Sequence, residues 1–460
     1  SKTNIAIRPG KEKEDKMEYL TGVRHKDTLE ISELRKQAQP GQTVKVNGAV
    51  HAIRNMGTVA FVILRKREGL LQGVYEEGTA KFDLKDIKEA ATIEVEGVLE
   101  ENEKAPGGIE IRMENLKILS QPKAEMMPLA ISKWKLNTSL EAKLNYRSIS
   151  LRNIRERAKF RIQEGLTRAF RDFLYSQGFT EIHTPKIGAK GAEGGANIFK
   201  LEYFHRPAVL AQSPQFYKQM MVGVFDRVFE TAPVFRAEKH NTKRHLNEYT
   251  SLDFEMGYID GFEVIMAMET GHLQYAMELL KKDYAQELKI LGITLPEVEK
   301  IPAVEFSDIK EKVSEKYGHK MRNPFDLEPE EEQLISQYAK EEWGSDFVFV
   351  THYPSKKRPF YAMDDPKDPR YTLSFDLLFR GMEITTGGQR IHDYEMLVEK
   401  IKARGMSQEG MEQYLDTFKH GMPPHGGIGI GLERLTMKLI GEDNVRETTL
   451  FPRDLSRLEP

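Results

Sequence analysis

The chain has 460 residues, of which 39% are hydrophobic and 30% charged, and its formal net charge is −3. That length predicts two or three domains, and the balanced charge excludes a wholly basic nucleic-acid binder, so any such contact must use local patches. Cysteine is missing, which excludes disulfides, thiolate zinc sites and cysteine nucleophiles. No apolar run approaches the ~18 residues of a membrane span, and residues 1–16 lack the apolar centre of a signal peptide, so we expect a cytoplasmic protein.

The first 120 residues predict a polar lead-in followed by a small β-barrel. Residues 1–40 are charged, with one possible short helix over Thr28–Leu34. Residues 41–120 contain short strands of alternating polarity that are separated by glycine turns, a pattern typical of a closed barrel.

One aromatic residue of this barrel allows two interpretations. Phe61 lies on a strand among aliphatic residues, close to Arg54 and to the basic run 65–67. An exposed aromatic side chain flanked by cations would stack single-stranded bases and hold their backbone. Alternatively, Phe61 belongs to the barrel core and the basic run is a hairpin tip. The residues alone leave both open.

Residues 121–150 contain prolines and no strong period, so they predict a hinge before a second domain over 151–460. Apolar residues from Ile154 to Phe173 recur at helical spacing and predict one helix of about 20 residues. Gly178 ends this helix, and an extended segment with Pro185 follows.

Two stretches between residues 189 and 219 carry polar groups suited to ligand contact. The glycine- and alanine-rich segment Ala189–Ala196 holds one acid, Glu193, and suits a mobile loop over a site. Ser213-Pro214 then begin a helix on which Gln215 and Lys218 share one face. A capped surface helix is the alternative interpretation.

The segment Phe235–Glu255, FRAEKHNTKRHLNEYTSLDFE, predicts a β-hairpin with a long charged loop. Arg236 and Glu238 open the loop, which is rich in lysine, arginine and histidine. Such a loop can hold a triphosphate or the end of a nucleic acid. In isolation, a solvated hairpin tip is the simpler interpretation.

The C-terminal half alternates between helical and strand patterns. Residues 262–345 predict an inserted helical region without catalytic residues, and strands return after Asp346 as FVFVTHYP, RPFYAM and YTLSFDLLFRGMEITTGGQRIH. The last of these places Glu383, Thr386 and Arg390 around a double glycine, which indicates close approach of a ligand or a bulge. In GIGIGLER, glycine alternates with isoleucine, so that something flat can lie against the backbone.

Three of these pieces, in this order, resemble the signature motifs of class II aminoacyl-tRNA synthetases: the helix and strand up to Pro185, the FRAE hairpin, and GIGIGLER. The segments QSPQFYK, ITTGGQRIH and FPRD resemble the aspartyl branch in its archaeal and eukaryotic-like form. The resemblance covers residues 40–460 and implies an α+β protein with an OB-fold anticodon-binding barrel over 41–120. Its catalytic domain over 151–460 would have a mixed, mainly antiparallel sheet flanked by helices.

The resemblance implies an ATP site built on the hairpin and on the last motif. Arg236 would hold the α-phosphate, where charge develops during attack. Arg434 and Tyr249 would enclose adenine between a guanidinium and a ring. Glu238 would bind the adenine edge, and His245 would meet the distal phosphates. Arg236 and Arg434 are therefore the expected catalytic residues.

The resemblance also implies a magnesium site. Glu383 and Thr386 resemble the pair that holds Mg²⁺ against the ATP phosphates, and Mg²⁺ prefers oxygen ligands with several retained waters. No general base is needed for activation, because the attacking carboxylate is already charged. Positioning and charge neutralisation would carry the step.

For the amino acid, the resemblance implies L-aspartate. Arg390 would bind its side-chain carboxylate in a bidentate manner, with Lys218 beside it. Gln215 and Asp253 would receive the α-ammonium group, and Glu193 would close over it. Asparagine would be a poor substrate, because its neutral amide leaves both cations unpaired.

In the barrel, the resemblance implies that Phe61 stacks on an anticodon base, that Gln72 binds the central uridine and that Arg54 adds a contact. Strict aspartyl enzymes of this form tend to carry a tryptophan and a lysine near the third anticodon base. Here those positions match His51 and Pro106, the pair typical of relaxed relatives that charge both tRNA(Asp) and tRNA(Asn). We therefore expect a non-discriminating enzyme that supplies Asp-tRNA(Asn) to an amidotransferase. The segment around Pro185 resembles the family's homodimer interface.

Three competing functions remain. An asparaginyl-tRNA synthetase is disfavoured by Arg390 and Lys218. An inactive RNA-binding paralogue would have lost signature residues that this chain retains, and an ammonia-using asparagine synthetase would have no anticodon barrel.

Overall fold

The computed structural model describes residues 26–193 and 197–460 and divides the chain into two compact units, Ser1–Ser132 and Lys133–Pro460. The division falls inside the segment predicted to be a hinge. Most of the predicted lead-in lies outside the described residues. Its last part forms α1 (Ile31–Gln37), close to the predicted short helix.

The first unit is a closed barrel, as the sequence predicts. Its strands are β1 (Thr43–Asn55), β2 (Val59–Lys66), β3 (Gly69–Glu76), β4 (Thr92–Glu101) and β5 (Ile109–Ser120). They close in the order β1-β2-β3-β5-β4. Alternate side chains such as Val62 and Leu64 of β2 point inward and form the core, as the two-residue period of a strand requires.

The second unit combines helices with one large sheet. Its helices are α2 (Leu140–Asn145), α3 (Arg147–Ser150), α4 (Ile154–Ser176), α5 (Gln215–Phe225), α6 (Glu263–Asp283), α7 (Ala285–Leu291), α8 (Phe306–Tyr317), α9 (Pro329–Trp343), α10 (Tyr394–Ala403), α11 (Glu412–Lys419) and α12 (Leu432–Ile440). Its strands are β6 (Thr180–Glu181), β7 (Ile187–Gly188), β8 (Lys200–Tyr203), β9 (Arg206–Leu210), β10 (Arg227–Phe235), β11 (Glu248–Gly257), β12 (Ala303–Glu305), β13 (Phe347–Thr351), β14 (Asp364–Asp365), β15 (Asp368–Thr372), β16 (Ser374–Phe379), β17 (Met382–Gln389) and β18 (His425–Gly431).

The large sheet has the strand order β12-β13-β16-β17-β18-β11-β10-β6. It is antiparallel except at its two ends, where β6 pairs with β10 and β12 with β13 in parallel. The predicted mixed, mainly antiparallel sheet is therefore confirmed. The FRAE hairpin is also present, because β10 and β11 pair from Phe235↔Glu248 to Arg227↔Met256.

One face of this sheet is covered by α4, α6 and α12, whose buried side chains join those of the strands in the main hydrophobic core. The Asn153 side chain caps α4 by accepting from two backbone amides, and Gly178, which follows the helix, has a φ of 78° that favours glycine. The opposite face is left for polar side chains. Among the described residues, no helix is both long and apolar enough to cross a membrane.

Two sequence-based expectations differ from the structure. The segment RPFYAM is not a regular strand, because residues 358–363 form a coil that meets the sheet only at the bridge Ala362↔Arg390. The segment predicted to be a helical insertion also contributes to the main architecture. Its strand β12 extends the sheet, and its helix α6 lies in the main core.

A buried acid of α6 connects this core to the sheet. Glu269 is fully buried and accepts a hydrogen bond from Thr385 Oγ1 of β17. Burial raises the pKa of Glu269 to about 8, so its carboxyl group stays protonated at neutral pH. In the unfolded chain this group ionises near its ordinary value of 4.5.

We therefore predict that Glu269 makes the free energy of unfolding fall as the pH rises from about 4.5 to about 8, since only the folded state keeps the proton in that window. Glu269→Gln, which has the same shape without the titration, should remove this loss, which reaches about 1.4 kcal/mol per pH unit. Thermal unfolding at pH 5.5 and pH 8 should show a smaller fall in Tm for Glu269→Gln than for the wild type. Glu278→Gln on the same helix, where the side chain is 75% exposed, is the control and should behave like the wild type. Equal falls in all three proteins would contradict the prediction.

Candidate active site

A cavity of about 400 Å³ opens on the polar face of the large sheet. Its floor is formed by β11, β16, β17 and β18, and its walls by the loop after β10, by α5 and by the first turn of α12. Every residue that the sequence predicts for ATP, Mg²⁺ or aspartate lines this cavity: Glu193, Gln215, Lys218, Arg236, Glu238, His245, Tyr249, Asp253, Glu383, Thr386, Arg390 and Arg434.

The glycine strand β18 makes room for polar side chains of its neighbour β11. Ser251, Asp253 and Glu255 alternate along β11 and pair directly with Gly431, Gly429 and Gly427. A Cβ atom at Gly427 would lie 2.1 Å from Glu255 Oε2, and one at Gly429 would lie 3.2 Å from Asp253 Oδ2. The intervening Ile428 and Ile430 point into the core on the other face. Gly427 is therefore required by Glu255 and by the Phe254 carbonyl oxygen, which a Cβ would also approach to 2.1 Å, and Gly429 is favoured less strictly by Asp253.

At one end of the cavity, Glu255 lies between two cations. Arg390 Nε donates to Glu255 Oε1 over 2.9 Å, and Lys218 Nζ lies 3.2 Å from Glu255 Oε2 and 2.9 Å from Asp253 Oδ2. Burial alone would raise the pKa of Glu255, but Arg390 and Lys218 outweigh it and lower the pKa. Glu255 is therefore a charged carboxylate that is fully buried among its partners.

The helix that carries Lys218 is fixed to β18 by a buried hydrogen-bonded chain. Tyr414 Oη donates to Gln219 Oε1, and Gln219 Nε2 lies 2.9 Å from His425 Nε2. His425 Nδ1 lies 2.9 Å from the Pro423 carbonyl oxygen, which makes Nδ1 the donor and Nε2 the acceptor for Gln219. Burial lowers the pKa of His425 to about 4, so the ring is neutral and this arrangement is consistent.

Glu193 approaches the same end from the loop that follows β7. Its Oε1 accepts hydrogen bonds from Ser213 Oγ over 3.0 Å and from Tyr361 Oη over 2.8 Å. The Tyr361 ring also lies 5.2 Å from the Arg390 guanidinium carbon. The predicted loop Ala189–Ala196 is described only up to Glu193, and residues 194–196 lie outside the described residues.

At the other end of the cavity, backbone carbonyls hold the predicted adenine-binding arginine. Arg434 donates from Nε to the Arg244 carbonyl and from Nη1 to the Glu383 carbonyl, each over 3.2 Å. These contacts join α12 to the hairpin loop and to β17. The pKa of His245, a residue of the hairpin loop, is lowered mainly by burial and further by the positive charge of Arg434 nearby. Both effects favour a neutral imidazole.

The hairpin loop 236–247 is anchored to the C-terminal segment. Val445 N donates to the Lys243 carbonyl over 2.8 Å, and Asn247 N donates to the Arg453 carbonyl over 2.9 Å. Arg446 donates to the Thr242 carbonyl while its Nε binds Asp454 of the FPRD segment over 2.6 Å. The loop is therefore a built structure and not a solvated tip.

Carboxylates and arginines alternate around Glu383. Thr386 Oγ1 donates to Glu383 Oε1 over 2.9 Å, and Asp376 pairs with Arg358 Nη2 over 2.8 Å. Burial raises the pKa of Asp376 to about 6 against the effect of Arg358, and Glu383 acts in the same direction as burial. Burial and Glu383 also raise the pKa of Glu332, a residue of α9, to about 7. Neighbouring oxygen donors of this kind suit a hard divalent cation.

The sequence assigns no role to four residues that belong to the site or contact it: Glu255, Arg358, Tyr361 and Glu332. Glu332 lies in the segment 262–345, for which the sequence predicts no catalytic residues. A signal existed for Glu255, because it continues the two-residue spacing of Ser251 and Asp253 opposite the three glycines. No local signal marks Glu332, because its contact with the hairpin loop joins residues that are far apart in the chain.

In the barrel, three predicted contacts share the outer surface of β1, β2 and β3. Arg54 pairs with Phe61 across the strands, and Phe61 is only partly buried and lies outside the barrel core, so the core interpretation of Phe61 is wrong. Gln72 Nε2 donates to Glu110 Oε2 over 2.7 Å. The basic run does lie at a tip, between β2 and β3.

His51 and Pro106, the pair typical of relaxed relatives, lie at different places in the barrel. His51 is the extra residue of a bulge in β1, is buried, and has its Nδ1 3.4 Å from Arg65 Nη1. Pro106 is in the loop between β4 and β5, in a short 3₁₀ turn. His51 and Pro106 therefore belong to separate elements of the barrel.

Comparison with known proteins gives two family matches. Residues 139–455 match the family "tRNA synthetases class II (D, K and N)", and residues 44–119 match "OB-fold nucleic acid binding domain". The chain is 49% identical to an "Aspartate--tRNA(Asp/Asn) ligase" of Deinococcus radiodurans, over 91% of this chain and 96% of that protein. It is 41% identical to an "Aspartate--tRNA(Asp) ligase" of Pyrococcus furiosus, over 91% of this chain and 97% of that protein.

Solved structures named for two different amino acids, aspartate and asparagine, resemble this fold to the same degree. A putative aspartyl-tRNA synthetase from Leishmania major has a TM-score of 0.83 at 31% identity, covering 96% of this chain and 97% of its own. The asparaginyl-tRNA synthetase of Pyrococcus horikoshii with asparaginyl-adenylate also has a TM-score of 0.83, at 30% identity, covering 92% and 97%.

We predict that alanine substitutions at the glycines of β18 destabilise the protein to different degrees. Gly427→Ala should lower the free energy of unfolding by at least about 3 kcal/mol, because the new methyl group would meet both the Phe254 carbonyl oxygen and the Glu255 carboxylate, whose displacement leaves two buried cations uncompensated. Gly429→Ala should cost less, since its contact is looser, and Gly188→Ala is the control because a Cβ there meets its nearest atom at 3.9 Å. The midpoint of urea unfolding should be lowest for Gly427→Ala, higher for Gly429→Ala and close to the wild type for Gly188→Ala. A Gly427→Ala protein as stable as Gly188→Ala would refute the packing argument.

Proposed function

The chain belongs to the class II tRNA synthetases of the D, K and N group, and we propose that within this family it is an aspartate–tRNA ligase that charges both tRNA(Asp) and tRNA(Asn). The observation that carries the amino-acid specificity is the buried cluster of Arg390, Lys218 and Glu255. Arg390 uses Nε for Glu255, so its two terminal nitrogens are the ones that meet the side-chain carboxylate of aspartate. An asparagine amide would present an NH₂ group to these donors.

The α-ammonium group of aspartate would meet acceptors on the other side, namely the carboxylate of Asp253 and the side-chain oxygen of Gln215, with Glu193 closing over it. Gln215 Nε2 has no hydrogen-bond partner among the described residues, so it could in addition donate to a carboxylate oxygen of the substrate. The site therefore offers cations to the acid groups of aspartate and anions to its amine.

Activation follows from position and charge. An oxygen of the aspartate α-carboxylate attacks the α-phosphorus of ATP, the bond to the β-phosphate oxygen breaks, and pyrophosphate leaves. Arg236 stabilises the charge that develops on the α-phosphate, and its buried Nε has no hydrogen-bond partner among the described residues. A terminal ribose hydroxyl of the tRNA then attacks the aspartyl carbonyl carbon and releases AMP.

The residues present fit Mg²⁺, because Glu383 and Thr386 offer a carboxylate and a hydroxyl oxygen side by side at the cavity wall. When bound, Mg²⁺ would neutralise charge on the ATP phosphates. Arg434 is oriented by the carbonyls of Arg244 and Glu383 so that its guanidinium can cover one face of adenine, while Tyr249 supplies the aromatic face. Glu238 would accept from the adenine amine, and the neutral His245 would donate to a distal phosphate.

For the tRNA, we propose that Phe61 stacks on an anticodon base and that Arg54 pairs with the backbone. Because Gln72 Nε2 is engaged by Glu110, its Oε1 is the atom that would accept the N3–H of uridine. His51 and Pro106, instead of a larger aromatic ring and a lysine, would leave the third anticodon position loosely recognised. The mischarged Asp-tRNA(Asn) then requires an amidotransferase as a partner.

We predict that aspartate is transferred to tRNA(Asp) and tRNA(Asn) transcripts with kcat/KM values within about tenfold of each other, since loose contacts at one base cost about 1 kcal/mol. Labelled aspartate with each purified transcript tests this, and labelled asparagine is the parallel substrate control. A hundredfold preference for tRNA(Asp) would reject dual charging, and transfer of asparagine would reject the role of Arg390.

The paired substitution His51→Trp and Pro106→Lys should lower charging of tRNA(Asn) by about ten- to a hundredfold relative to tRNA(Asp). Because His51 is buried, the thermal unfolding of the variant is measured alongside. Pro106→Lys alone adds the charge without the ring and separates the two effects. Equal losses on both tRNAs would mean that the barrel is damaged and not made selective.

We further propose a homodimer. The strand β6 is the last strand at its end of the sheet and carries the segment that resembles the family interface, next to the exposed ring of Tyr175 of α4. Sedimentation velocity at micromolar concentration should give twice the mass of one chain. A single-chain mass at all concentrations tested would contradict this proposal.

A further inference from the structure

An acid from outside the signature motifs contacts the nucleotide end of the cavity. Glu332 lies in the first turn of α9, and its Oε2 is 2.5 Å from Nη2 of Arg244 in the hairpin loop. Both side chains are largely buried, 6% exposed for Glu332 and 16% for Arg244. Removing either partner of such a buried ion pair would leave the other charge buried without compensation. We therefore treat the contact as structurally significant.

Arg244 belongs to the same end of the cavity as the predicted phosphate-binding groups. Its side chain lines the cavity with Arg236, His245 and Arg434, and its carbonyl accepts from Arg434 Nε. The backbone around it is already fixed by the C-terminal segment, through the contact of Val445 N with the Lys243 carbonyl. Glu332 is therefore not needed to hold the loop backbone, and acts on the Arg244 side chain.

The charges around this pair favour an exchange of partners. Arg244 faces Glu332 and is near Arg434 and Lys438, while Glu332 is also near Glu383. A polyphosphate entering the cavity brings several negative charges to the same arginines. A guanidinium that is paired with a carboxylate has fewer donors for phosphate oxygens, so the two anions compete for Arg244.

We propose that Glu332 is an internal competitor for the polyphosphate of ATP: it binds Arg244 in the free enzyme and gives it up when the β- and γ-phosphates bind. The inference rests on the proposed function in that ATP is the ligand. Its consequence is that Glu332 weakens binding of ATP and of the product pyrophosphate while keeping Arg244 ordered in the empty site. The helical segment 262–345 thereby acquires a role in the reaction cycle, as the source of a positioning residue that promotes pyrophosphate release.

The test compares ligands with and without the distal phosphates. In Glu332→Gln, the Kd values of ATP and pyrophosphate measured by titration calorimetry should fall by about tenfold, and the Kd of AMP should stay within twofold. Glu330→Gln is the matched control, because it removes one charge from the same helical turn at a side chain that is 68% exposed. Unchanged Kd values for ATP and pyrophosphate in Glu332→Gln, or an equal fall for AMP, would overturn the proposal.

A double substitution separates partner exchange from simple repulsion between Glu332 and the phosphates. In an Arg244→Gln background, Glu332→Gln should no longer tighten pyrophosphate, because there is no guanidinium left to compete for. Continued tenfold tightening would mean direct repulsion and would overturn the exchange. If Glu332→Gln does not fold, Glu332→Asp, which keeps the charge but shortens the reach, should tighten ATP by a smaller factor, and no tightening would overturn the proposal.

The outcomes for the wild type distinguish this inference from the proposed function. A wild-type protein that binds neither ATP nor pyrophosphate would reject the ligase itself. A wild-type protein that binds both, with Kd values equal to those of Glu332→Gln, would reject only the role of Glu332.

Discussion

The end of the cavity that we propose for the amino acid depends on one buried carboxylate. Glu255 has no exposed surface, and its charge is maintained by Arg390 on one side and Lys218 on the other. The three groups must be present together, since a lone charge in this position would be strongly destabilising. Gly427 makes the arrangement possible, because any side chain there would occupy the position of the Glu255 carboxylate. The alternating glycines are thus a packing requirement of the charge cluster as well as a surface for a ligand.

The backbone fold is shared by proteins named for different amino acids. The putative aspartyl-tRNA synthetase and the asparaginyl-tRNA synthetase both resemble this fold with a TM-score of 0.83. Lys218 and Arg390 face Glu255 and Asp253, so two cations are balanced by two acids before a ligand enters. Because Arg390 uses only Nε for Glu255, a substrate carboxylate would accept from its two terminal nitrogens, whereas the NH₂ group of an amide could not.

The sequence predicts most of the architecture and the residues that line the cavity, and the reasons are local. The barrel strands, the helix from Asn153 to Gly178, the FRAE hairpin and the glycine strand each have a period or a terminating residue that can be recognised within one segment. What it does not predict arises from contacts between distant segments. Residues 358–363 are expected to form a strand, yet they form a coil whose Arg358 pairs with Asp376 and whose Tyr361 binds Glu193. The barrel position of Phe61 was undecided for the same reason, since facing inward or outward depends on the register with β1.

The hairpin loop is the place where these distant segments meet. Its backbone is held by the C-terminal residues 445–453, its Arg244 carbonyl orients Arg434 of α12, and its Arg244 side chain reaches Glu332 of α9. A change in the partner of the Arg244 side chain would leave the Arg244 carbonyl, and with it the contact to Arg434, in place, because the loop backbone is held separately by the C-terminal segment. Backbone anchoring limits this motion to side chains, which is the form of adjustment that a close-packed site can make without opening the sheet beneath it. The same connections make the nucleotide end sensitive to residues in two segments that lie outside the signature motifs.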